Sequence, residues 1–241
     1  MLNFLYGKKS LQPFFERLFY ASLRGMNYGN GSDFKKSGEK YVFEILQKIG
    51  KELLIFDVGA NRGDYSKSLI SHLKNHPFKI YAFEPTKFCQ EELKKIDYPN
   101  FELCKFGLSN QVGESTIHYD YDGSVWASLD NQDYGRHNKK LNLTETIQLE
   151  TMDDFCKERN ISYVDFIKID VEGHEKEVLE GGVQMLSKNA VHLIQFEFGL
   201  ASLYSKTRLM DIMKVLENYD IYRILPKGLR KITYNEAFEI I

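Results

Sequence analysis

Cysteine and proline are scarce in this chain, and their distribution limits the kinds of protein it can be. The three cysteines, Cys89, Cys104 and Cys156, show no Cys-x-x-Cys spacing, so neither a disulfide framework nor a structural zinc site is indicated. Buried, reduced thiols are expected instead. The five prolines are dispersed along the 241 residues and mark no linker between domains.

Long apolar runs and an excess of one charge are also missing. No stretch reaches the roughly 18 apolar residues that a membrane span requires, and MLNFLYGKKS lacks the apolar core of a signal peptide. We therefore expect a cytoplasmic protein. The formal charge of −2 gives no general attraction to nucleic acid or to an anionic membrane, and nucleic acid is not expected as a partner.

The segment LQPFFERLFYASL has apolar residues at helical spacing. A helix of this kind can lie on a bilayer, but a helix packed on the domain is the commoner outcome. Peripheral membrane contact is therefore not expected. The sequence gives no indication of the oligomeric state.

Strand-like and helical patterns alternate along most of the chain. LLIFDV, KIYAF, FELCKF, VDFIKID and VHLIQFEF read as buried strands, and helical patterns separate most of them. This alternation predicts an α/β fold with a doubly wound, mostly parallel sheet. IYRIL and the stretch near LRKIT could pair as a hairpin, which gives seven strands in total. We expect a helical lead-in over residues 1–36 and a single domain over residues 37–241.

One region, about residues 110–143, interrupts the alternation after the third strand. STIHY and TIQLE flank it as possible extra strands, and between them lies a polar segment that carries Trp126, Tyr134 and His137. Long connections of this kind are usually functional or disordered. The insertion could form a lid whose aromatic and histidine side chains contact an acceptor, or those side chains could simply anchor the loop.

The loop in LLIFDVGANRGDYS indicates the ligand. It matches neither the dinucleotide fingerprint nor the phosphate-binding loop, and a phosphate would not favour the charge of Asp57. A cationic ligand fits better, since Asp57 can accept from an ammonium while Gly59 and Gly63 let backbone N–H groups approach a carboxylate or ribose. S-adenosylmethionine is such a ligand. Glu84, at the end of the second strand, is placed to accept from its ribose hydroxyls. Asn61, between the two glycines, is a further expected cofactor contact.

The segments DVGANRGDYS, FEP, TMDDF, DFIKIDVEGHEKEVLEGG and QFEF together resemble the FkbM family of S-adenosylmethionine-dependent methyltransferases. The resemblance implies a class I, Rossmann-like sheet and O-methylation, often of sugars or polyketide hydroxyls. It also implies that the lead-in RGMNYGNGSDFKKSGE, which contains Glu39, closes over the cofactor. Many class I enzymes hold the adenine with an acidic residue after the third strand. Here Gly107 and Ser109 occupy that stretch, and they are the expected contacts.

A second group of polar residues suggests how an acceptor hydroxyl could be activated. Asp170 and Glu197 lie 27 residues apart, at the ends of the fourth and fifth strands, so adjacent strands would bring them to one rim. Glu172 and His174 follow Asp170 at alternate positions. Two hypotheses remain open: Asp170 and Glu197, with Glu172 or His174, hold Mg²⁺ or Mn²⁺ or orient the hydroxyl, or His174 acts as a metal-free general base.

The expected function is methyl transfer from S-adenosylmethionine to a hydroxyl of a sugar, nucleotide sugar or related polyhydroxylated metabolite, as in polysaccharide biosynthesis. The alternatives are a metal-free enzyme that uses His174 on a non-sugar molecule, a nucleotide-dependent sugar-modifying enzyme, and a cofactor-binding protein without catalysis. A nucleic-acid N-methyltransferase is disfavoured, because the sequence has no [DNS]-P-P-[FYW] run and no basic stripe.

Overall fold

A computed structural model describes residues 5–29, 34–130, 133–134 and 139–236 of the protein. The helices are α1 (Gln12–Gly25), α2 (Phe34–Ser37), α3 (Glu39–Leu46), α4 (Asp64–Leu73), α5 (Lys87–Leu93), α6 (Met152–Glu158), α7 (Glu175–Glu180), α8 (Val183–Ser187), α9 (Leu200–Tyr204) and α10 (Leu209–Val215). The strands are β1 (Leu53–Val58), β2 (Phe78–Phe83), β3 (Phe101–Cys104), β4 (Gly107–Leu108), β5 (Gly113–Tyr119), β6 (Asp133–Tyr134), β7 (Lys139–Lys140), β8 (Leu143–Glu150), β9 (Val164–Ile169), β10 (Val191–Phe196), β11 (Tyr222–Leu225) and β12 (Gly228–Lys231).

The central sheet has five parallel strands in the order β10-β9-β1-β2-β3. The chain first builds outward from β1 to β3 and then returns to the other side of β1, so the order reverses beside β1. All six residues of β9 are buried, as expected for a strand that is covered on both faces. The predicted doubly wound, mostly parallel sheet is confirmed.

The predicted count of seven strands is wrong. Strands β11 and β12 form an antiparallel hairpin, and among the described residues they pair only with each other. Their composition agrees with this, because Arg223, Arg230 and Lys231 take three of the eight positions and Tyr222 and Leu229 remain exposed. A strand inside a doubly wound sheet is covered on both faces and carries few charged residues.

The insertion after β3 forms a small sheet of its own. Strands β5 and β8 pair antiparallel along their whole lengths, and β4 pairs with β8 on the other side. This confirms the two strands predicted from STIHY and TIQLE. Ile117, Ile147 and Leu149 are buried on this sheet. The short strands β6 and β7 pair with each other.

The chain divides into two compact units. The first contains residues Met1–Leu46 and Tyr222–Ile232, and the second contains Gln47–Ile221 and Thr233–Ile241. The division predicted at residue 36 stays a prediction. Within the first unit, the side-chain amide of Asn27 donates to the carbonyl groups of Ser37 and Ile224, and the Arg223 guanidinium lies 4.2 Å from the Tyr28 ring centre.

Helix α1 confirms the predicted N-terminal helix. Of its 14 residues, all of which the structure describes, none is buried. Among the described helices, none is long and apolar enough to cross a membrane. The three cysteines are free and buried, as predicted.

An aromatic cluster packs on one face of the central sheet. The rings of Phe56 in β1, Phe83 in β2 and Phe155 in α6 meet edge to face, with centroids 4.8 to 5.6 Å apart. Truncating a buried phenylalanine of this kind to alanine costs about 3–5 kcal/mol of stability. The cluster therefore fixes the ends of β1 and β2, after which the candidate site begins.

Candidate active site

Asp57 lies near the end of β1 and is completely buried. The Ser66 hydroxyl donates to Asp57 Oδ2 at 2.6 Å, but Oδ1 has no hydrogen-bond partner among the described residues. Burial raises the pKa of Asp57, and the nearby charge of Lys168 opposes that rise. A buried carboxylate oxygen without a donor is unfavourable. The contact with the cofactor ammonium that the sequence predicted for Asp57 stays a prediction.

The two glycines of the loop after β1 serve packing inside the protein. Gly59 has φ +78°, and a Cβ there would lie 1.9 Å from the carbonyl oxygen of Asp170. Gly63 has φ +79°, and its Cβ would lie 2.7 Å from a side-chain methyl of Leu93. The sequence predicted glycines for close approach to a ligand. In the structure they are required because other parts of the same unit approach them closely.

Glu84 directly follows β2 and holds the glycine loop. Its Oε2 accepts from the backbone N–H of Asn61 at 2.9 Å, and its Oε1 accepts from the backbone N–H and the hydroxyl of Thr86 at 2.8 and 2.6 Å. Burial raises the pKa of Glu84, and these three donors oppose the rise. A carboxylate has about four acceptor positions, so Glu84 retains capacity for a ligand hydroxyl.

A cavity opens beside these residues, between the central sheet and the insertion. The ends of β1 and β2 form one wall, the small sheet of the insertion forms an apolar wall, and the segment from Asp170 to His174 closes a third side. The predicted cofactor residues that line the cavity are Gly59, Asn61, Glu84, Gly107 and Asp170.

Three other predicted cofactor residues lie elsewhere. Asp57 is not among the described residues that line this cavity, although its neighbour Val58 is. Ser109 lines a second, adjacent cavity. Glu39 belongs to the first unit, where its carboxylate accepts from the Ser37 hydroxyl. A cofactor role for Glu39 stays a prediction.

Of the three acceptor residues predicted in the insertion, the structure describes the side chain of Trp126 alone. Trp126 is half-buried and lies between two lining residues, Val125 and Ala127, but is not among the described residues that line the cavity. Tyr134 lies in β6, and its side chain is outside the described part of the chain, as is all of His137. Acceptor contacts by these residues stay predictions.

Asp170 and Glu197 lie side by side at the ends of β9 and β10. The last residues of the two strands, Ile169 and Phe196, are paired in register, and each carboxylate residue follows directly. The charge of Asp170 is the first cause that raises the pKa of Glu197 to about 7, ahead of burial. Because Glu197 reaches solvent, we attribute most of the shift to the like charge. The prediction that adjacent strands bring these two carboxylates together at one edge of the sheet is confirmed.

Lys168 supplies the counter-charge for this pair. It is 7% exposed, and its Nζ lies 2.7 Å from Asp170 Oδ2 and 5.0 Å from the centre of the Tyr65 ring. The negative charges of Asp170 and Asp57 compensate the burial of this ammonium.

The turn between Asp170 and α7 is held in an unusual backbone conformation. Glu172 has φ +52°, and burial first, then the charges of Asp170 and Glu197, raise its pKa to about 9. Glu175 accepts from the backbone N–H groups of Val171 and Gly173 and fixes the turn. Sequence reasoning missed Glu175, although its position as a further carboxylate in DVEGHE at the start of a helix could have indicated this role.

His174 already contacts protein groups through both ring nitrogens. Its Nε2 is hydrogen-bonded to Ser109 Oγ at 2.9 Å, and its Nδ1 lies 3.6 Å from Glu177 Oε2. Burial lowers the pKa of His174, and the charge of Glu177 opposes this shift. His174 lines both cavities. To act as a base through Nε2, it would have to give up its contact with Ser109.

The predicted divalent-metal site is not supported. Asp170, Glu197 and Glu172 were the predicted ligands, but the described part of the chain contains no group of three or more His, Cys, Asp or Glu side chains arranged to hold a metal ion. The physical reason is the Lys168 ammonium, which takes the position beside Asp170 Oδ2 that a cation would need. We derive no catalytic step through a metal.

Asp57 and Glu84 lie at the ends of the neighbouring strands β1 and β2, and Glu84 holds the glycine loop after β1, which has no phosphate motif. This arrangement is that of a Rossmann-like, S-adenosylmethionine-dependent methyltransferase. Residues 57–222, about two thirds of the chain, match the methyltransferase FkbM domain. The protein belongs to this family.

Named relatives are distant in sequence. The 2-O-methyltransferase NoeI of Sinorhizobium fredii is 23% identical over 208 residues, which cover 79% of this chain and 81% of NoeI. The hexuronic acid methyltransferase AglP of Haloferax volcanii is 25% identical over 167 residues, which cover 68% of this chain and 64% of AglP. A solved structure of methyltransferase FkbM from Methylobacillus flagellatus has 15% identity and a TM-score of 0.44, over 76% of this chain and 42% of that chain.

Proposed function

We propose that the protein transfers a methyl group from S-adenosylmethionine to a hydroxyl group of a sugar, a nucleotide sugar or a related polyhydroxylated metabolite. The carboxylate pair Asp170 and Glu197 carries this proposal, because it can accept a proton from an alcohol. The names of the two relatives, a 2-O-methyltransferase and a hexuronic acid methyltransferase, support the acceptor class. A role in polysaccharide biosynthesis is part of the same proposal.

The cofactor would lie in the cavity beside Glu84. The unpartnered Oδ1 of Asp57 supports a position for the ammonium group near the end of β1, and Glu84 would accept from the ribose hydroxyls. The apolar wall formed by Ile117, Ile147 and Leu149 suits the adenine ring, whose contacts the sequence left uncertain. Bound there, S-adenosylmethionine supplies a methyl group that is already activated by its sulfonium.

The protein then has to align the acceptor and remove its proton. Glu197, with a pKa of about 7, is poised to take the hydroxyl proton onto a carboxylate oxygen at neutral pH. Asp170 and Lys168 hold Glu197 in this state, since the negative charge of Asp170 raises its pKa and the ammonium limits the rise. His174 would act as a positioning residue that joins the Asp170–His174 turn to Ser109.

Transfer of the labelled methyl group from S-adenosylmethionine to a panel of nucleotide sugars, free glycosides and non-sugar alcohols tests the proposal. Each reaction is run with and without Mn²⁺ or Mg²⁺. We expect transfer to at least one sugar-type acceptor and its loss in Glu197→Gln. Transfer to non-sugar acceptors alone would refute the acceptor class. Tight NAD binding without methyl transfer would favour the nucleotide-dependent alternative.

A further inference from the structure

Helix α1 has a continuous apolar side, and this side is exposed to solvent. Phe14, Leu18 and Phe19 lie on one side of the helix at i, i+4 and i+5, and their exposed fractions are 60%, 51% and 47%. Phe15, on the same side, and Leu11, which directly precedes the helix, are half-exposed. We call these five residues the α1 stripe. A contiguous apolar surface of this kind usually marks an interaction site, unlike single exposed hydrophobic residues.

The unit that carries the α1 stripe is strongly basic. Residues 1–46 and 222–232 together contain eleven lysines and arginines but four aspartates and glutamates, a formal charge of +7. The whole chain carries −2, so the second unit carries −9. The overall charge of −2 is therefore the small difference between two large charges of opposite sign. Arg17 and Arg24, both exposed, lie together on the side of α1 away from the stripe.

We propose that α1 docks the protein on an anionic lipid bilayer, with the α1 stripe in the interface and the basic residues of the first unit facing lipid headgroups. Amphipathic helices with aromatic and leucine residues on one face and basic residues on the other bind membranes in this way. The acyl region would cover Phe14, Leu18 and Phe19, and the surface potential of the anionic leaflet would attract the charge of +7. The proposal does not depend on the methyl acceptor.

Other occupants explain less of this surface. A nucleic acid would satisfy the basic residues but would leave the α1 stripe in water. Two α1 stripes from two copies of the chain would cover each other, but this would bring two units of +7 together.

Sedimentation of the full chain with vesicles tests the proposal. Vesicles of phosphatidylcholine alone are compared with vesicles in which roughly a third of the lipid is phosphatidylglycerol, at low and high salt. We expect binding to the anionic vesicles that weakens as salt is raised. Arg17→Gln with Arg24→Gln should weaken it by about fivefold per residue.

Two double variants separate the stripe from general hydrophobicity. Phe14→Ser with Leu18→Ser should weaken vesicle binding at least about tenfold. The control, Val112→Ser with Leu203→Ser, changes two side chains of the second unit that are 64% and 69% exposed and should leave binding unchanged. Circular dichroism checks that all variants keep their helix content. Equal effects of the two double variants would overturn the proposal.

A fluorescent label reports on α1 directly. The native cysteines are buried, and burial raises the pKa of Cys89 to about 11 and the pKa values of Cys104 and Cys156 to about 12, so a cysteine introduced by Leu18→Cys is labelled selectively. A nitrobenzoxadiazole label there should brighten on anionic vesicles, whereas the same label at Leu203→Cys should not.

Two results, one from the labelled protein and one from a parallel binding assay with DNA, would overturn the proposal. Brightening at Leu18→Cys with protein concentration and without vesicles would assign the stripe to a second copy of the chain. Binding to a DNA duplex without binding to anionic vesicles would assign the basic unit to nucleic acid.

Discussion

Carboxylates stand at two places along the edge of the central sheet, and the two groups are built differently. At the ends of β1 and β2, Asp57 and Glu84 are at most 5% exposed, and Glu84 is surrounded by three fixed donors. At the ends of β9 and β10, Asp170 and Glu197 face each other and one lysine, and Glu197 reaches solvent.

The difference indicates a division of work. Burial is the first cause that raises the pKa values of Asp57 and Glu84, and fixed donors or a lysine compensate it, which suits binding of a ligand with constant charge. A like charge is the first cause for Glu197 and brings its pKa to about 7, which suits a group that gains and loses a proton during turnover.

The largest expected effect is that of Glu197→Gln. Removing a general base typically slows the chemical step by about 10²–10⁴-fold, so kcat should fall by that amount. The Kd for S-adenosylmethionine should stay within about twofold, since Glu197 is not among the described residues that line the cofactor cavity. Single-turnover kinetics and calorimetry measure the two quantities. An unchanged kcat would remove Glu197 from the chemistry.

Glu84→Gln should show the opposite pattern. Charge-assisted hydrogen bonds contribute about 1.5–3 kcal/mol, so S-adenosylmethionine should bind roughly 10–100-fold more weakly, while kcat at saturating cofactor changes little. Glu145→Gln is the matched control, because Glu145 lines the same cavity but is only half-buried, whereas Glu84 is buried. If Glu84→Gln reduced kcat as strongly as Glu197→Gln does, the proposed division of work would fail.

The pH dependence of kcat/KM gives an intermediate effect. Glu197 must be ionised to accept a proton, so activity should rise with pH up to a pKa of about 7 and fall about tenfold for each pH unit below it. Glu197→Gln should flatten this limb in the residual activity. The same limb in Glu197→Gln and in the unmodified protein would show that another group titrates.

The smallest effect concerns stability. The pKa of Glu172 is raised to about 9 from an ordinary value near 4.5, so the folded state keeps a proton that the unfolded state releases, and stability falls as pH rises through this range. Glu172→Gln removes that dependence. Relative to the unmodified protein, the variant should therefore gain Tm at pH 8.5 compared with pH 5.5, by about 2–4 °C for each kcal/mol of this pH dependence. A constant difference across pH would contradict the shifted pKa.

The edge of the sheet could be predicted from sequence because strands carry strong periodic signals. Apolar runs that stop at Asp57, Glu84 and Asp170 place those residues at one edge whatever the details of packing. The inward position of Lys168 could not be predicted, because it depends on two carboxylates that only the tertiary structure brings near its amine. The sequence of IYRIL likewise does not specify its partner strand. The predicted seven strands therefore wrongly included the two strands of the hairpin in the central sheet.

The exposure of α1 was missed for a related reason. Helical spacing shows that an apolar face exists but not what covers it, and the net charge of −2 concealed the difference between the two units. Both properties depend on which distant segments share a unit. In this case the segment from Tyr222 to Ile232, which contains the hairpin and its turn, adds four basic residues to the N-terminal segment.

The contact between Gly59 and the carbonyl oxygen of Asp170 has a consequence for redesign. A Cβ at residue 59 would lie 1.9 Å from that oxygen and would act as a wedge between the loop that follows β1 and the turn that follows β9. The proposed donor and acceptor sides of the site thus meet at one close backbone contact. Changes that reshape the turn from Asp170 to His174 for a new acceptor will be transmitted to the methyl donor, so both loops must be engineered together.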